Sequence, residues 1–325
     1  MKLATLNSGA RDGLLVVVSG DHQRYSSAEH IAPNLLTAIE NWHTCAEPLT
    51  ELFHKLNNDP EDGRPFAPEN TMAPLPRTWQ WLDGSAFPQH GTLMQKAYNL
   101  PPIETDQPLM YQGLSDRFYG PFDDIPFMSE AGGIDFEGEF GVIVDDVPMG
   151  TSAHEALSHI KLIVMLNDWS LRALGVEEMK TGFGWVQGKP ACSVAGVAIT
   201  PDELGAAWEG GQINLPLKVR WNDQHFGAAV GNQMEVGFHE LVAHASATRS
   251  LPAGTLIGSG TVSNRQYEAV GSSCISERRA IDLIEFGEIR TPFMQFGDQI
   301  EMETTLDDGS PLFGVLRQRV VKCEV

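Results

Sequence analysis

The chain has 325 residues, 42% of them hydrophobic, with 32 Gly and 20 Pro, enough to bury a sizeable core and to make many turns. Acidic residues outnumber basic ones 43 to 22, and the formal charge of −21 argues against nucleic acid or an anionic membrane as partner. No apolar run approaches the roughly 20 residues that cross a bilayer, and Met1 to Asn7 lacks a signal-peptide core, so a soluble, cytoplasmic protein is expected.

The length suits one large β-rich domain and a smaller one. Residues 1 to about 75 are expected to form the smaller, an α/β module. Lys2 to Leu6 and Gly13 to Ser19 have strand patterns split by a turn at Ala10 to Gly13. A helical tract carries Leu35, Leu36, Ile39 and Trp42, then Leu49, Leu52 and Phe53, and the proline-studded text from Arg64 to Pro76 marks the boundary. Residues 76–325 then form the larger domain. Asp83 precedes a helical run from about His90 to Tyr98. Each acts ordinarily as a turn residue or a solvent-facing helix start, or else the two share one mouth.

In Asp135 to Val144, apolar Phe136, Phe140, Val142 and Val144 flank Glu137 and Glu139. On a strand those two glutamates share a face about 7 Å apart. That face is either solvated or a site, because burying both requires a cation or protons. Ser152 to Glu155 opens a helix with capping-box spacing. The apolar run Ile160 to Leu166 ends in Asn167-Asp168-Trp169-Ser170-Leu171-Arg172, where Asp168 either caps a helix starting at Ser170 or stands at a site at the end of a sheet.

Further on, Thr200-Pro201 starts a short helix, Asn222-Asp223 turns a hairpin, and Glu240 to Ala247 is amphipathic. Pro252 to Ser263 is a glycine-rich strand and turn. Ile281 to Phe286, Asp298 to Thr304 and Phe313 to Val321 are expected to be a closing set of strands. Cys45, Cys192, Cys274 and Cys323 are scattered without zinc spacing and are expected to be reduced, mostly structural thiols.

Taken in order, these features resemble the fumarylacetoacetate hydrolase family from about Pro74 onward: Asp83 and His90 seven apart, Glu137-x-Glu139, Asn167 to Arg172, Gly188-Lys189, and Gly258-Ser-Gly-Thr-Val-Ser263, with Tyr111-Gln-Gly113 alongside. The resemblance implies a mixed α/β, strand-rich fold, a β-roll with the small N-terminal accessory domain of some members. It implies a metal site of Asp83, Glu137, Glu139 and Asp168. Such hard oxygen ligands suit Mg²⁺ first, with Ca²⁺ or Mn²⁺ as alternatives.

It also implies His90 as general base, since neutral imidazole can take a proton from water near pH 7. Glu277, expected on a strand after the Gly-Thr turn, would orient it. Arg172 and Lys189 would bind substrate or oxyanion, and Tyr111, Ser85 and Thr261 would complete the substrate side. The implied reaction is C–C hydrolysis of a small anionic 1,3-dicarbonyl acid, such as fumarylacetoacetate or an acylpyruvate. Decarboxylation, hydration or isomerisation of a 2-oxo diacid in aromatic catabolism is the alternative, and a homodimer is implied. Two departures bear on the substrate: Gly175 stands where close relatives of the fumarylacetoacetate enzyme have Gln, and Ser85 where they have Tyr.

Overall fold

The computed structural model describes residues 1–103 and 105–324. Its centre is a sheet that runs in the order Arg64–Pro65, Arg24–Ser27, Leu14–Val18, Lys2–Leu6, Val197–Ile199, Ile160–Asn167, Gly138–Val144, Leu256–Gly258, Trp81–Gly84, Met110–Gly113. The N-terminal strands therefore extend the sheet that carries the rest of the chain, joined by the antiparallel register Lys2↔Ile199 to Ala4↔Val197.

The central strands are buried on both faces, which is why their sequences are apolar runs. From Gly138–Val144, Phe140, Val142 and Val144 enter one core and Ile143 the other. The second core is closed by the helices Leu35–Glu40 and Trp42–Asn58, through Leu35, Ile39 and Leu49. The first is shared with a five-stranded sheet, Gln224–Val230, Pro216–Trp221, Gln299–Glu303, Leu316–Lys322 and Ile125–Phe127. There the burial alternates: Leu217 and Val219 point in while Lys218 and Arg220 point out. Among the described residues, no helix is long and apolar enough to cross a membrane.

Ile281 to Phe286, expected as strand, belongs to the helix Ile275–Phe286, and Glu277 sits in its first turn. The local signals are helical: Cys274 caps the start, its Sγ accepting from the Glu277 amide at 3.3 Å, and Gly287 ends the helix at φ 74°. Glu277, Ala280, Ile281 and Ile284 recur at helical spacing, as do His90, Leu93, Met94 and Ala97 on the helix Pro88–Tyr98. Ala280, Ile281 and Leu93 are buried in the seam between these helices, with Met94, Ala97 and Ile284 packed against them.

Candidate active site

The strand Leu256–Gly258 lies between the strands bearing Asp83 and Glu139, parallel to one and antiparallel to the other. Gly258 pairs with Asp83 on one side and Gly141 on the other. A Cβ at Gly258 would stand 2.5 Å from Asp83 Oδ1 and 3.0 Å from Glu139 Oε2, so only glycine lets the two carboxylates converge there. Two residues on, Gly260 has φ +78°, and its N–H donates to Asp83 Oδ1 at 3.2 Å and Glu139 Oε2 at 3.1 Å. Gly258→Ala should cost about 1–3 kcal/mol of stability through this overpacking and weaken cation binding as well. Urea melts and Mn²⁺ titration check it, and wild-type values in both would show that the close approach is dispensable.

Asp168 arrives from the end of Ile160–Asn167, its N–H bonded to the Glu137 carbonyl at 2.9 Å. The capping alternative is not realised: Ser170–Leu171 is a short strand, and the helix Arg172–Met179 has Leu171 at its N-cap. Instead Asp168 Oδ2 accepts from Tyr111 Oη at 2.7 Å and Lys189 Nζ at 2.6 Å, and Oδ1 from Cys192 Sγ at 2.8 Å. One carboxylate oxygen each from Asp83, Glu139 and Asp168 lies within 4.8 Å of the others.

Glu137 is buried beside this cluster, at the break between the strands Ile134–Asp135 and Gly138–Val144. Its Oε1 accepts from Lys189 Nζ and from Ser170 Oγ, both at 2.7 Å, and faces Arg172 Nη2 at 2.9 Å, while Thr261 Oγ1 donates to Oε2. With Glu137 5% and Glu139 0% exposed, a solvated acidic face is excluded. Arg172 and Lys189 are thus engaged by carboxylates, Arg172 also by Asp135 at 2.8 Å.

His90 Nδ1 lies 3.2 Å from Glu277 Oε2. A buried carboxylate at that distance favours the tautomer with its proton on Nδ1, leaving Nε2 as the acceptor. The Tyr111 ring meets Trp185 edge-on at 4.8 Å between centroids, with Lys189 Nζ 5.3 Å above the tyrosine. Ser85 is exposed at the rim, next to the Gly260 turn.

Several of these residues carried no assigned role in the sequence. Asp135, fully buried, accepts the Ile275 amide at 2.7 Å and the Ser276 amide at 2.9 Å, tying Arg172 to the helix of Glu277. Its signal was an acid within an apolar strand. Cys192 and Cys274 carry no local signal of a role, and only the fold places them against Asp168 and the Glu277 amide. Trp185 lay in text with no periodicity.

The charges do not balance. Among the described residues, Asp135, Glu137 and Asp168 share the cations Arg172 and Lys189, and Asp83 and Glu139 have no ion-pair partner. Burial, then the charge of Asp168, pushes the Asp83 carboxyl well above the usual carboxylate range. Burial, then Asp83 and Asp168, does the same to Glu139. Glu137 goes the other way: burial raises it, but Arg172 and Lys189 outweigh burial and hold it well below. Glu139 Oε1 is buried with no hydrogen-bond partner. An orphaned oxygen within an excess of buried carboxylates is what a hard divalent cation satisfies, so the donor set fits one.

The sign of the pH effect follows. Without a cation, native Asp83 and Glu139 keep protons that the unfolded chain loses above about pH 4, so their contribution to stability falls as pH rises. A cation must displace those protons. At one fixed Mg²⁺ concentration, the Mg²⁺-induced rise in Tm should therefore be larger at about pH 8 than at about pH 5.5. A rise that stays constant or shrinks would show the cluster already ionised.

Residues 80–321 match the family model for the fumarylacetoacetate (FAA) hydrolase C-terminal domain, and residues 1–77 the model for fumarylacetoacetase N-terminal domain 2. The chain belongs to the fumarylacetoacetate hydrolase family. Among curated members, the 2,4-didehydro-3-deoxy-L-rhamnonate hydrolase of Sphingomonas sp. (strain SKA58) is 28% identical over 163 residues, 49% of this chain and 54% of its own. The mitochondrial oxaloacetate tautomerase Fahd2a of Rattus norvegicus is 24% identical over 157 residues, 47% of this chain and 48% of its own. The chain spans about half the length of the curated relatives it matches. The fold is shared with the maleylpyruvate hydrolase of Sphingobium sp. SYK-6, solved with manganese(II) and pyruvate, at TM-score 0.67 and 14% identity over 100% of both chains.

Proposed function

We propose that this protein is a divalent-cation-dependent hydrolase that cleaves the C–C bond of a small anionic 1,3-dicarbonyl acid such as fumarylacetoacetate or an acylpyruvate. The observation that carries the reading is the His90–Glu277 pair, held by a helix seam with His90 close enough to Glu137 for their charges to interact. Such a pair supplies the base that hydrolysis needs to activate water, whereas simple decarboxylation through a stabilised enolate needs none.

Asp83, Glu139 and Asp168, with Glu137 adjoining, would hold the cation, Mg²⁺ or Mn²⁺ by donor hardness. When bound, it supplies Lewis-acid polarisation of the substrate carbonyl and charge stabilisation for the enolate. The chain's own residues do the rest. His90 Nε2 takes a proton from water while Glu277 holds Nδ1–H, so positive charge on the ring is stabilised as it forms. Hydroxide adds to the carbonyl carbon, and the C–C bond breaks with its electron pair moving to the departing fragment as an enolate. The proton on Nε2 then passes to that fragment's carbon, giving two neutral-carbon products and restoring the base. Lys189 and Tyr111, both on Asp168 Oδ2, supply donors at the same mouth.

Protein stripped with a chelator and offered a panel of acylpyruvates and fumarylacetoacetate tests this. Cleavage should vanish and return with Mg²⁺ or Mn²⁺; cleavage indifferent to chelation, or absent on every diketone with either ion, overturns it. The similarity to an oxaloacetate tautomerase supports a second reading, tautomerisation or decarboxylation of a 2-oxo diacid on the same cation site. Scoring the panel for acid products, CO₂ and keto–enol exchange separates the two.

A further inference from the structure

The first turn of the Ile275–Phe286 helix meets His90 with donors of a different kind from the carboxylate cluster. A ring nitrogen of His90, Cys274 Sγ and a Glu277 carboxylate oxygen lie within 4.8 Å of one another. The His90–Glu277 separation of 3.2 Å is close to the roughly 3.3–3.6 Å between neighbouring ligand atoms around tetrahedral zinc. Cys274 and Glu277 are fully buried, and the His90 side chain, 20% exposed, gives the group its access to solvent. Glu277 uses only one oxygen on His90, and Oε1 is buried without any hydrogen-bond partner. An orphaned buried carboxylate oxygen carries an uncompensated desolvation cost. A cation among these three side chains removes that cost.

Donor chemistry decides which cation. Imidazole nitrogen, thiolate sulfur and one carboxylate oxygen suit a borderline transition metal, whereas Asp83, Glu139 and Asp168 offer oxygen alone. We propose that His90, Cys274 and Glu277 form a second cation site, of the zinc(II) or cobalt(II) class, distinct from the carboxylate cluster. Binding releases the thiol proton to solvent, moves the imidazole proton from Nδ1 to Nε2 so that the nitrogen facing Glu277 can ligate, leaves a fourth position for water and involves no redox change. The Cys274 sulfur can still accept the Glu277 amide after ligation. Occupation withdraws His90 from the water it would activate, so the ion inhibits. Only that last consequence rests on the proposed hydrolysis; the site does not.

The test is titration of the full-length, Mg²⁺-loaded protein with Co²⁺ in the absence of oxygen. One equivalent should produce a near-ultraviolet thiolate-to-cobalt charge-transfer band, which Zn²⁺ then bleaches. Cys274→Ser, which keeps an N-cap oxygen for the helix, should lose the band, and Cys192→Ser should retain it. His90→Ala, on the facing helix, should weaken Co²⁺ binding at least about 100-fold, serving as an independent check on a different element. In the diketone assay Zn²⁺ should inhibit the wild type, and Cys274→Ser should need at least about 100-fold more. Absence of the band, its survival in Cys274→Ser or its loss in Cys192→Ser overturns the proposal, the last by moving the metal to Asp168. A Cys274-dependent band in a protein that cleaves no diketone leaves this site standing and removes the hydrolase reading instead.

Discussion

His90→Ala should lower turnover of the cleaved diketone by about 10²–10⁴-fold, the usual weight of a positioned general base, while Mg²⁺ or Mn²⁺ binding stays near wild type. The two effects separate because the imidazole points to Glu277, on another helix, and is not among the converging carboxylates. The substitution also strips a fully buried carboxylate of its partner, so a stability loss of about 1–3 kcal/mol is expected. Glu277→Gln keeps the shape and removes the charge that stabilises the protonated ring, so it should lower turnover in the same direction by less. Full activity in His90→Ala would remove His90 from the mechanism. Loss of Mg²⁺ binding in that variant would place it in the ligand shell.

Asp83→Asn or Glu139→Gln should weaken Mn²⁺ binding by at least about 100-fold, more than the loss expected for an outer-shell partner, and abolish turnover at ordinary metal concentrations. The same variants should raise the stability of the metal-free protein above pH 7, because each removes a carboxylate whose ionised form burial and its acidic neighbours disfavour. Opposite signs in the two states are the signature of a site built for a cation. Calorimetric melts with and without Mg²⁺ measure both. A variant less stable than wild type in the metal-free state as well would make these carboxylates ordinary structural hydrogen-bond acceptors.

The alternation in Phe136 to Val144 and the apolar run to Leu166 were legible as strands because they are buried on both faces. Glu137 and Glu139 stood out for the same reason, as acids inside apolar text. The hairpin at Asn222-Asp223 was legible too, since its turn takes φ of 48° and 62°, which those residues tolerate. The segment after Gly271 differs from its expectation: Glu277, expected on a strand, lies in the first turn of a helix. The spacing of Glu277, Ala280, Ile281 and Ile284 already described a helix face, but short apolar runs do not distinguish strand from helix until a partner surface is known.

By itself, the sequence determined which side chains exist for the chemistry: an excess of carboxylates, one histidine seven residues past an aspartate, and glycines where backbones must touch. The tertiary structure decided their partners. Asp168 meets Tyr111, Lys189 and Cys192 rather than capping a helix, Glu137 is held by Lys189 and Arg172 rather than facing water, and Glu277 reaches His90 across 187 positions of sequence. The physical reason is range. Propensity and periodicity act over a few residues, whereas the energy of a buried charge depends on every ionisable group within several ångströms, and those groups are gathered by the folding of the whole sheet.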